Sequence, residues 1–274
     1  IHQLYVIGGD GTHRGAIHIH EACLAARMPV AVIGCPKTID NDVDLIDRSF
    51  GFQSSVEKAQ AAITSAAVEA RCAPRGVGIV KLMGRHAGFI AAHAALASSD
   101  VDLVLVPEVE FRLEGEFGIL RHLERVLDRQ GYAVVVVAEG AGEELLSKEA
   151  LSGEVDAGGH RKLPAIAEFL KKQIKDYFAR DDGMPASVKL IDPSYIIRSC
   201  HANAADALLC MLLGQNAVHG AMAGFTGMSV GLVNNRVVYI PMTCIVANSP
   251  RVMDPVGRTW ERVISMTKQP DLAV

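Results

Sequence analysis

Apolar runs at 4–7, 30–34, 77–82, 102–106, 132–138 and 230–233 are separated by amphipathic, alanine-rich stretches near 14–27, 54–71, 87–98 and 117–130. Runs without interspersed polar residues are what strands buried on both faces require, and helical stretches between them supply the crossovers of a parallel sheet. The pattern predicts an α/β protein built on mainly parallel sheets. The segment 204–223, rich in Ala, Leu and Met, reads as a buried helix. The polar stretches 141–163 and 180–187 read as surface loops, the first with a short helix, and neither resembles a linker between independent domains. The chain holds no internal repeat and no low-complexity segment.

At 274 residues the chain is long enough for one large domain or two smaller ones. A net charge of −4 argues against a general nucleic-acid binder, for which a basic excess is needed. No apolar run approaches the ~18 residues of a membrane helix, so no membrane partner is expected. The six cysteines (23, 35, 72, 200, 210 and 244) form no CxxC pair, which suits a reducing compartment and points away from metal or redox motifs. His18 and His20 stand two apart and fall on different faces of a helix, unlike i,i+4 metal pairs. The chain opens with Ile1-His2 directly against a strand, which reads as an N-terminally truncated chain whose targeting signals are missing.

Three short motifs carry the chemistry. Gly8-Gly9-Asp10-Gly11-Thr12 follows the strand Leu4–Ile7 and precedes a helical stretch beginning near Arg14, the place where backbone N–H groups meet a phosphate. Asp10 can reach a metal on a polyphosphate; the plainer reading is a strand-to-helix turn with an Asp cap. Lys37-Thr38-Ile39-Asp40-Asn41-Asp42 follows the second strand. A carboxylate there can take the proton of an attacking sugar hydroxyl, and Asp40 is assigned that part. Asp42 would orient it or bind metal through water, Thr38 would contact the acceptor, and Lys37 would neutralise the transferring phosphoryl group. An Asx-rich turn with a solvated lysine is the alternative. Met83-Gly84-Arg85 puts a guanidinium beside a glycine, suited to a second phosphate, or else to a structural ion pair. Together these read as phosphoryl transfer to a phosphorylated small molecule.

The ordered set GGDGT, PKTIDND, KLMGRHAGFIA (81–91), AEGAG (138–142), DPSYIIR (192–198) and AVHGAMAG (217–224) resembles the 6-phosphofructokinases, most closely the ATP-dependent plant and protist lineage related to the pyrophosphate-dependent enzymes. The resemblance implies two three-layer α/β/α domains with the active site in the cleft between them. It assigns 1–51 and 200–250 to an ATP-binding domain and 52–199 and 251–274 to a sugar-phosphate-binding domain. Gly9, Asp10, Gly11 and Thr12 would hold the ATP phosphates, with Asp10 on Mg²⁺. Thr38, Ile39 and Asp40 would bind fructose 6-phosphate, Met83, Gly84, Arg85 and Glu139 its sugar, and Tyr195, Ile196, Ile197 and Arg198 its 6-phosphate end. By themselves Glu139 reads equally as a backbone-capping carboxylate, and Arg198, after a strand-like Tyr195–Ile197, as a structural ion pair. The resemblance also implies a homo-oligomer, a dimer or tetramer sharing an arginine between subunits, and an allosteric, cytoplasmic enzyme of glycolysis, with a plastid as the alternative compartment.

Within this family the residue after Asp10 divides the donors: pyrophosphate users carry aspartate there and ATP users glycine. A carboxylate would fill and repel the space of the α-phosphate. Gly11 therefore implies ATP, whereas Lys37 is shared with the pyrophosphate enzymes. The chain lacks the family's N-terminal glycine-rich loop, and Ser199–Asn203 departs from the usual proline-containing segment. The alternatives are a pyrophosphate-dependent fructose 6-phosphate 1-phosphotransferase and a catalytically silent regulatory homologue.

Overall fold

The computed structural model describes residues 1–146, 163–180 and 185–271. In chain order they form β1 (Gln3–Gly8), α1 (Asp10–Ala25), β2 (Ala31–Pro36), α2 (Phe52–Arg71), β3 (Gly76–Leu82), α3 (Phe89–Ser98) and β4 (Leu103–Leu105). There follow α4 (Ile119–Gln130), β5 (Tyr132–Ala138), α5 (Glu143–Leu146), α6 (Ile166–Phe178), β6 (Ser187–Ile191) and α7 (Ser194–Arg198). The chain closes with α8 (Ala204–Met222), β7 (Met228–Val233), β8 (Arg236–Pro241), α9 (Met242–Ala247) and α10 (Arg258–Thr267). These elements make two compact units, one of Ile1–Ser55 with Cys200–Arg251, the other of Val56–Ser199 with Val252–Val274.

The first unit carries a sheet of order β1-β2-β7-β8, parallel except for the β7–β8 pair. Period-two alternation along β2 sends its side chains to opposite layers. Ile33 and Cys35 pack with Leu209, Leu213 and Ala217 of α8, while Val32 packs with Ala16 of α1 and Met242 of α9. The β7–β8 hairpin turns on Asn234 and Asn235 at φ 50° and 61°, the left-handed pair that a two-residue turn needs and that asparagine tolerates. The Asp47 carboxylate accepts from both of their N–H groups, at 3.0 and 2.7 Å.

The second unit carries an all-parallel sheet of order β4-β5-β3-β6. Strand β5 shows no alternation of polar and apolar residues because both of its faces are covered. Val135 and Val137 join Leu105, Leu123, Leu170 and Ile174 in one apolar layer beneath α4 and α6. On the opposite face α3 packs against β4 and β5, and α10 against β4.

The α/β class and mainly parallel sheets agree with the sequence pattern, and β5 has the bounds the pattern predicts. Several local expectations need correction. The first helix starts at Asp10, four residues before Arg14, because Gly9 is already extended and Asp10 to Thr12 complete the first turn. Tyr195–Ile197 is helical, not strand-like: the Asp192 carboxylate accepts from Ser194 N–H at 3.1 Å and from its hydroxyl at 2.5 Å, starting a turn that Pro193 favours. Helix α8 buries only one face; Leu208, Met211, Leu212, Val218 and Met222 are exposed. Strands β6 and β8 are not among the expected runs: Lys189 interrupts β6, whereas Val237–Ile240 of β8 is an unbroken apolar run that the pattern does not assign. Of the two predicted loops, 147–162 and 181–184 lie outside the described residues, and Ser187 belongs to β6 rather than to a loop.

Candidate active site

The parallel register of β1 and β2 sets Gly8 opposite Pro36. Lys37 N–H continues the ladder by donating to the Gly8 carbonyl at 2.9 Å. The chain thus leaves two adjacent strands at the same edge, once through Gly9–Thr12 and once through Lys37–Asp42, where open α/β sheets bind ligands. No side chain caps the start of α1, so the first-turn N–H groups remain available to an anion, reinforced by the helix dipole. A Cβ at Gly11 would meet nothing within 4 Å. The carboxylate of Asp10 lies 3.7 Å from Arg14 Nε, a loose pair that leaves its oxygens accessible.

The second loop is held from within. Asp40 N–H donates to Thr38 Oγ1 at 3.1 Å, and Ser49 clasps both ends, its N–H to Asn41 Oδ1 at 2.9 Å and its hydroxyl to the Thr38 carbonyl at 2.6 Å. Asn41 sits at φ 57°, turning the chain sharply between Asp40 and Asp42. Thr38, Ile39, Asp40 and Asp42 are half-buried, and Lys37 is exposed.

One residue under this edge is not foreseen by the sequence reading. His13, fully buried in the first turn of α1, donates from Nδ1 to the Gly9 carbonyl at 2.8 Å. Its Nε2, the bare nitrogen of this tautomer, lies 2.9 Å from Ser229 Oγ, which is also 3.0 Å from the Gly34 carbonyl, so both acceptors face the one hydroxyl proton. A Cβ at Gly34 would stand 2.7 Å from Nε2, so only glycine leaves room for the ring. Burial lowers the His13 pKa, against the opposing pull of the Gly9 carbonyl and Asp10. The only sequence signal is a histidine directly after GGDGT.

In the second unit the predicted acceptor segments also leave one sheet edge. β3 pairs with β5 up to Leu82 opposite Ala138, and with β6 on its other side. Met83–Arg85, Glu139 and 192–198 follow these three strands. Glu139 N–H donates to the Leu82 carbonyl at 2.9 Å and Gly140 N–H to the Gly84 carbonyl at 3.1 Å, joining the two turns. Gly84 has φ 135°, and a Cβ there would press 2.5 Å from the Ala87 carbonyl oxygen, so the turn demands glycine.

Met83 is buried, while half-buried Arg85 lines a cleft of about 680 Å³ with His86, Glu108, Glu110, Arg112 and Met253. Glu108, unmarked in the sequence, accepts from Gly88 N–H at 2.9 Å and from Met253 N–H at 2.8 Å, fixing the start of α3 just beyond Arg85. Burial raises its pKa, partly offset by those N–H groups. Lys81 Nζ lies 2.5 Å from Asp192 Oδ2. Burial alone would raise Asp192, but Lys81 and Ser194 outweigh it and hold its carboxyl below the usual range. Tyr195 is 85% exposed and Ile196 65%, and Arg198 is also exposed. Ile197 is fully buried and presents no side chain to a ligand.

Among the described residues no group of three or more His, Cys, Asp or Glu side chains is arranged to hold a metal ion. His18 instead faces Glu21 at 3.6 Å and His20 meets Thr226 at 3.0 Å. A single accessible carboxylate such as Asp10 fits magnesium, which binds through one or two carboxylates, waters and substrate phosphates rather than an all-protein cage. Among the described residues no helix is long and apolar enough to cross a membrane.

A profile named "Phosphofructokinase" matches residues 1–221. The chain is 48% identical to ATP-dependent 6-phosphofructokinase 5, chloroplastic, of Arabidopsis thaliana, covering 99% of this chain and 50% of that protein. It is 50% identical to ATP-dependent 6-phosphofructokinase 7 of the same plant, covering 98% and 55%. It therefore spans about half the length of the curated relatives it matches. The backbone follows that of a pyrophosphate-dependent phosphofructokinase from Marinobacter aquaeolei with a TM-score of 0.76 at 22% identity, covering 100% of this chain and 68% of the other. At that identity the likeness concerns the fold alone.

Proposed function

We propose, from the premise that this chain belongs to the phosphofructokinase family, that it transfers the γ-phosphoryl group of Mg-ATP to the 1-hydroxyl of fructose 6-phosphate, as an ATP-dependent 6-phosphofructokinase. The observation that carries this reading is the Gly8–Pro36 register, which sets the glycine loop and the aspartate loop side by side at one sheet edge.

The uncapped N–H groups at Gly9 to Thr12 receive the donor phosphates, with the α1 dipole favouring their charge. Asp10 would hold magnesium, which would supply charge neutralisation at the phosphoryl oxygens when bound. Asp40 Oδ takes the proton of the attacking hydroxyl while Thr38 and Ile39 fit the sugar, and Asp42 orients Asp40. Lys37, exposed on its loop, meets the charge that develops on the transferring group. In the second unit Met83, Gly84, Arg85 and Glu139 hold the sugar. Tyr195, Ile196 and Arg198 serve the 6-phosphate end, and Ile197 contributes only backbone. Gly11 favours ATP by leaving open the space into which an aspartate would project.

A homo-oligomer, dimer or tetramer, completes the acceptor site. Six free thiols fit a reducing compartment, the cytosol or a plastid. The deciding experiment supplies the purified chain with fructose 6-phosphate, Mg²⁺ and either ATP or pyrophosphate, and follows fructose 1,6-bisphosphate. Turnover with ATP alone is expected. Turnover with pyrophosphate alone would overturn the donor assignment, and binding without turnover would make the chain a silent homologue.

A further inference from the structure

The aspartate loop is anchored from a distant part of the chain. Residues 249–251 lie beyond the stretch matched by the family profile, yet they make four hydrogen bonds to the backbone of 41–46. Arg251 Nη2 donates to the Asn41 carbonyl at 2.9 Å and Nη1 to the Ile46 carbonyl at 3.1 Å. Its own N–H donates to the Asp42 carbonyl at 2.6 Å. Ser249 Oγ accepts from Asp44 N–H at 3.0 Å and donates to the Ile245 carbonyl at 2.7 Å. A single half-buried guanidinium thus grips both ends of a turn that contains two left-handed residues, Asn41 and Leu45, and its neighbour grips the middle.

The same segment receives the glycine-loop helix. Arg14 Nη2 donates to the carbonyls of Val246 and Ser249 at 3.0 and 3.1 Å, and Arg14 is the residue paired with Asp10. Burial lowers the Arg251 pKa, while Asp44, Asp42 and Asp47 act to restore it. A guanidinium is never deprotonated in a protein, so that cost is borne in the folded chain. Such a cost makes sense where the planar fork is needed to reach two carbonyls at once, which a lysine cannot do.

We propose that Arg251, seconded by Ser249, is a positioning residue that sets where Asp40 and Asp42 stand and ties their loop to the helix carrying Asp10. The proposal rests on the reading of Asp40 as the proton acceptor, and its test separates the two. In the purified chain, Arg251→Lys is expected to lower kcat by about 10²-fold while the KM values for ATP and fructose 6-phosphate stay within about threefold. Arg251→Ala is expected to fall further and to recover towards the lysine variant on adding guanidinium ion far below denaturing concentrations.

Independently of turnover, the Asp44 and Ser49 amides should exchange hydrogen faster in Arg251→Ala. Wild-type kcat in both variants would overturn the proposal. So would parallel loss of kcat and thermal stability that guanidinium does not reverse. If the unaltered chain turns over with neither donor, the functional reading fails instead, and exchange at Asp44 and Ser49 decides alone: faster in the variant supports the brace, unchanged refutes it.

Discussion

Gly11→Asp separates recognition of the donor from stability because of where Gly11 sits. It is the second residue of α1, and a Cβ there would meet nothing within 4 Å, so the aspartate enters without a clash. Replacing a helical glycine recovers a few tenths of a kcal/mol, and a carboxylate in the first turn adds about 0.3–1 kcal/mol through the helix dipole. The variant should therefore unfold at the wild-type temperature or a few degrees above it. The donor suffers the opposite effect. One unit charge about 5 Å from another, at an effective dielectric of about 20, repels by roughly 3 kcal/mol, which is about a 200-fold loss per phosphate charge. ATP-dependent turnover should fall by at least that factor, measured by coupled detection of ADP beside a thermal melt of the same preparation. A folded Gly11→Asp chain with unchanged ATP kinetics would refute the reasoning. Loss of both activity and fold would refute the claim that the side chain enters open space.

Asp40→Asn should lower kcat by about 10²–10⁴-fold with ATP binding retained, as judged by calorimetry, because it removes a base and not a donor-phosphate contact. Arg85→Ala should raise the KM for fructose 6-phosphate at least about tenfold, the minimum for a lost charge-assisted contact, with the KM for ATP unchanged in steady-state assays. Leu105→Ala, in the apolar layer of the second unit, should cost about 2–5 kcal/mol in denaturant unfolding. Burial lowers the pKa of His122, whose Nε2–H donates to the Asp102 carbonyl at 2.8 Å. The unfolded chain then binds the extra proton more readily, so stability is full above the unfolded value of about 6.5 and declines as pH falls below it. Asp102 and Glu108, whose pKa values burial raises, act with the opposite sign at lower pH. The slope of Tm between neutral and mildly acidic pH should be shallower in His122→Gln; an identical slope would refute the assignment.

The strand-to-loop junctions are legible because the chemistry there is local. GGDGT and PKTIDND announce themselves by residue type, and β5 by an unbroken run of valines. Helix α7 is misleading in sequence because an Asx turn precedes it, the Asp192 carboxylate accepting from Ser194 N–H, and this outweighs the β-propensity of Ile196 and Ile197. The exposed face of α8 is hidden by uniform hydrophobicity, which carries no period to show which side is covered. Glu108, Ser229 and Arg251 are illegible for a different reason. Each acts on backbone groups far away in the chain, and a carbonyl or amide leaves no mark in the sequence of its partner.

The first unit is interrupted by the second, and this has a temporal consequence. Gly34 meets Ser229, a residue 195 positions further along the chain, so β2 has no neighbour on that side until β7 has been made. At ribosomal speeds of about 5–20 residues per second the wait is about 10–40 s. During that time this edge of β2 stays unpaired, and an open strand edge is a template for wrong pairing. The nascent chain must therefore keep the edge beneath its glycine loop open while the whole sheet of the other unit is synthesised, and β7 closes it only afterwards.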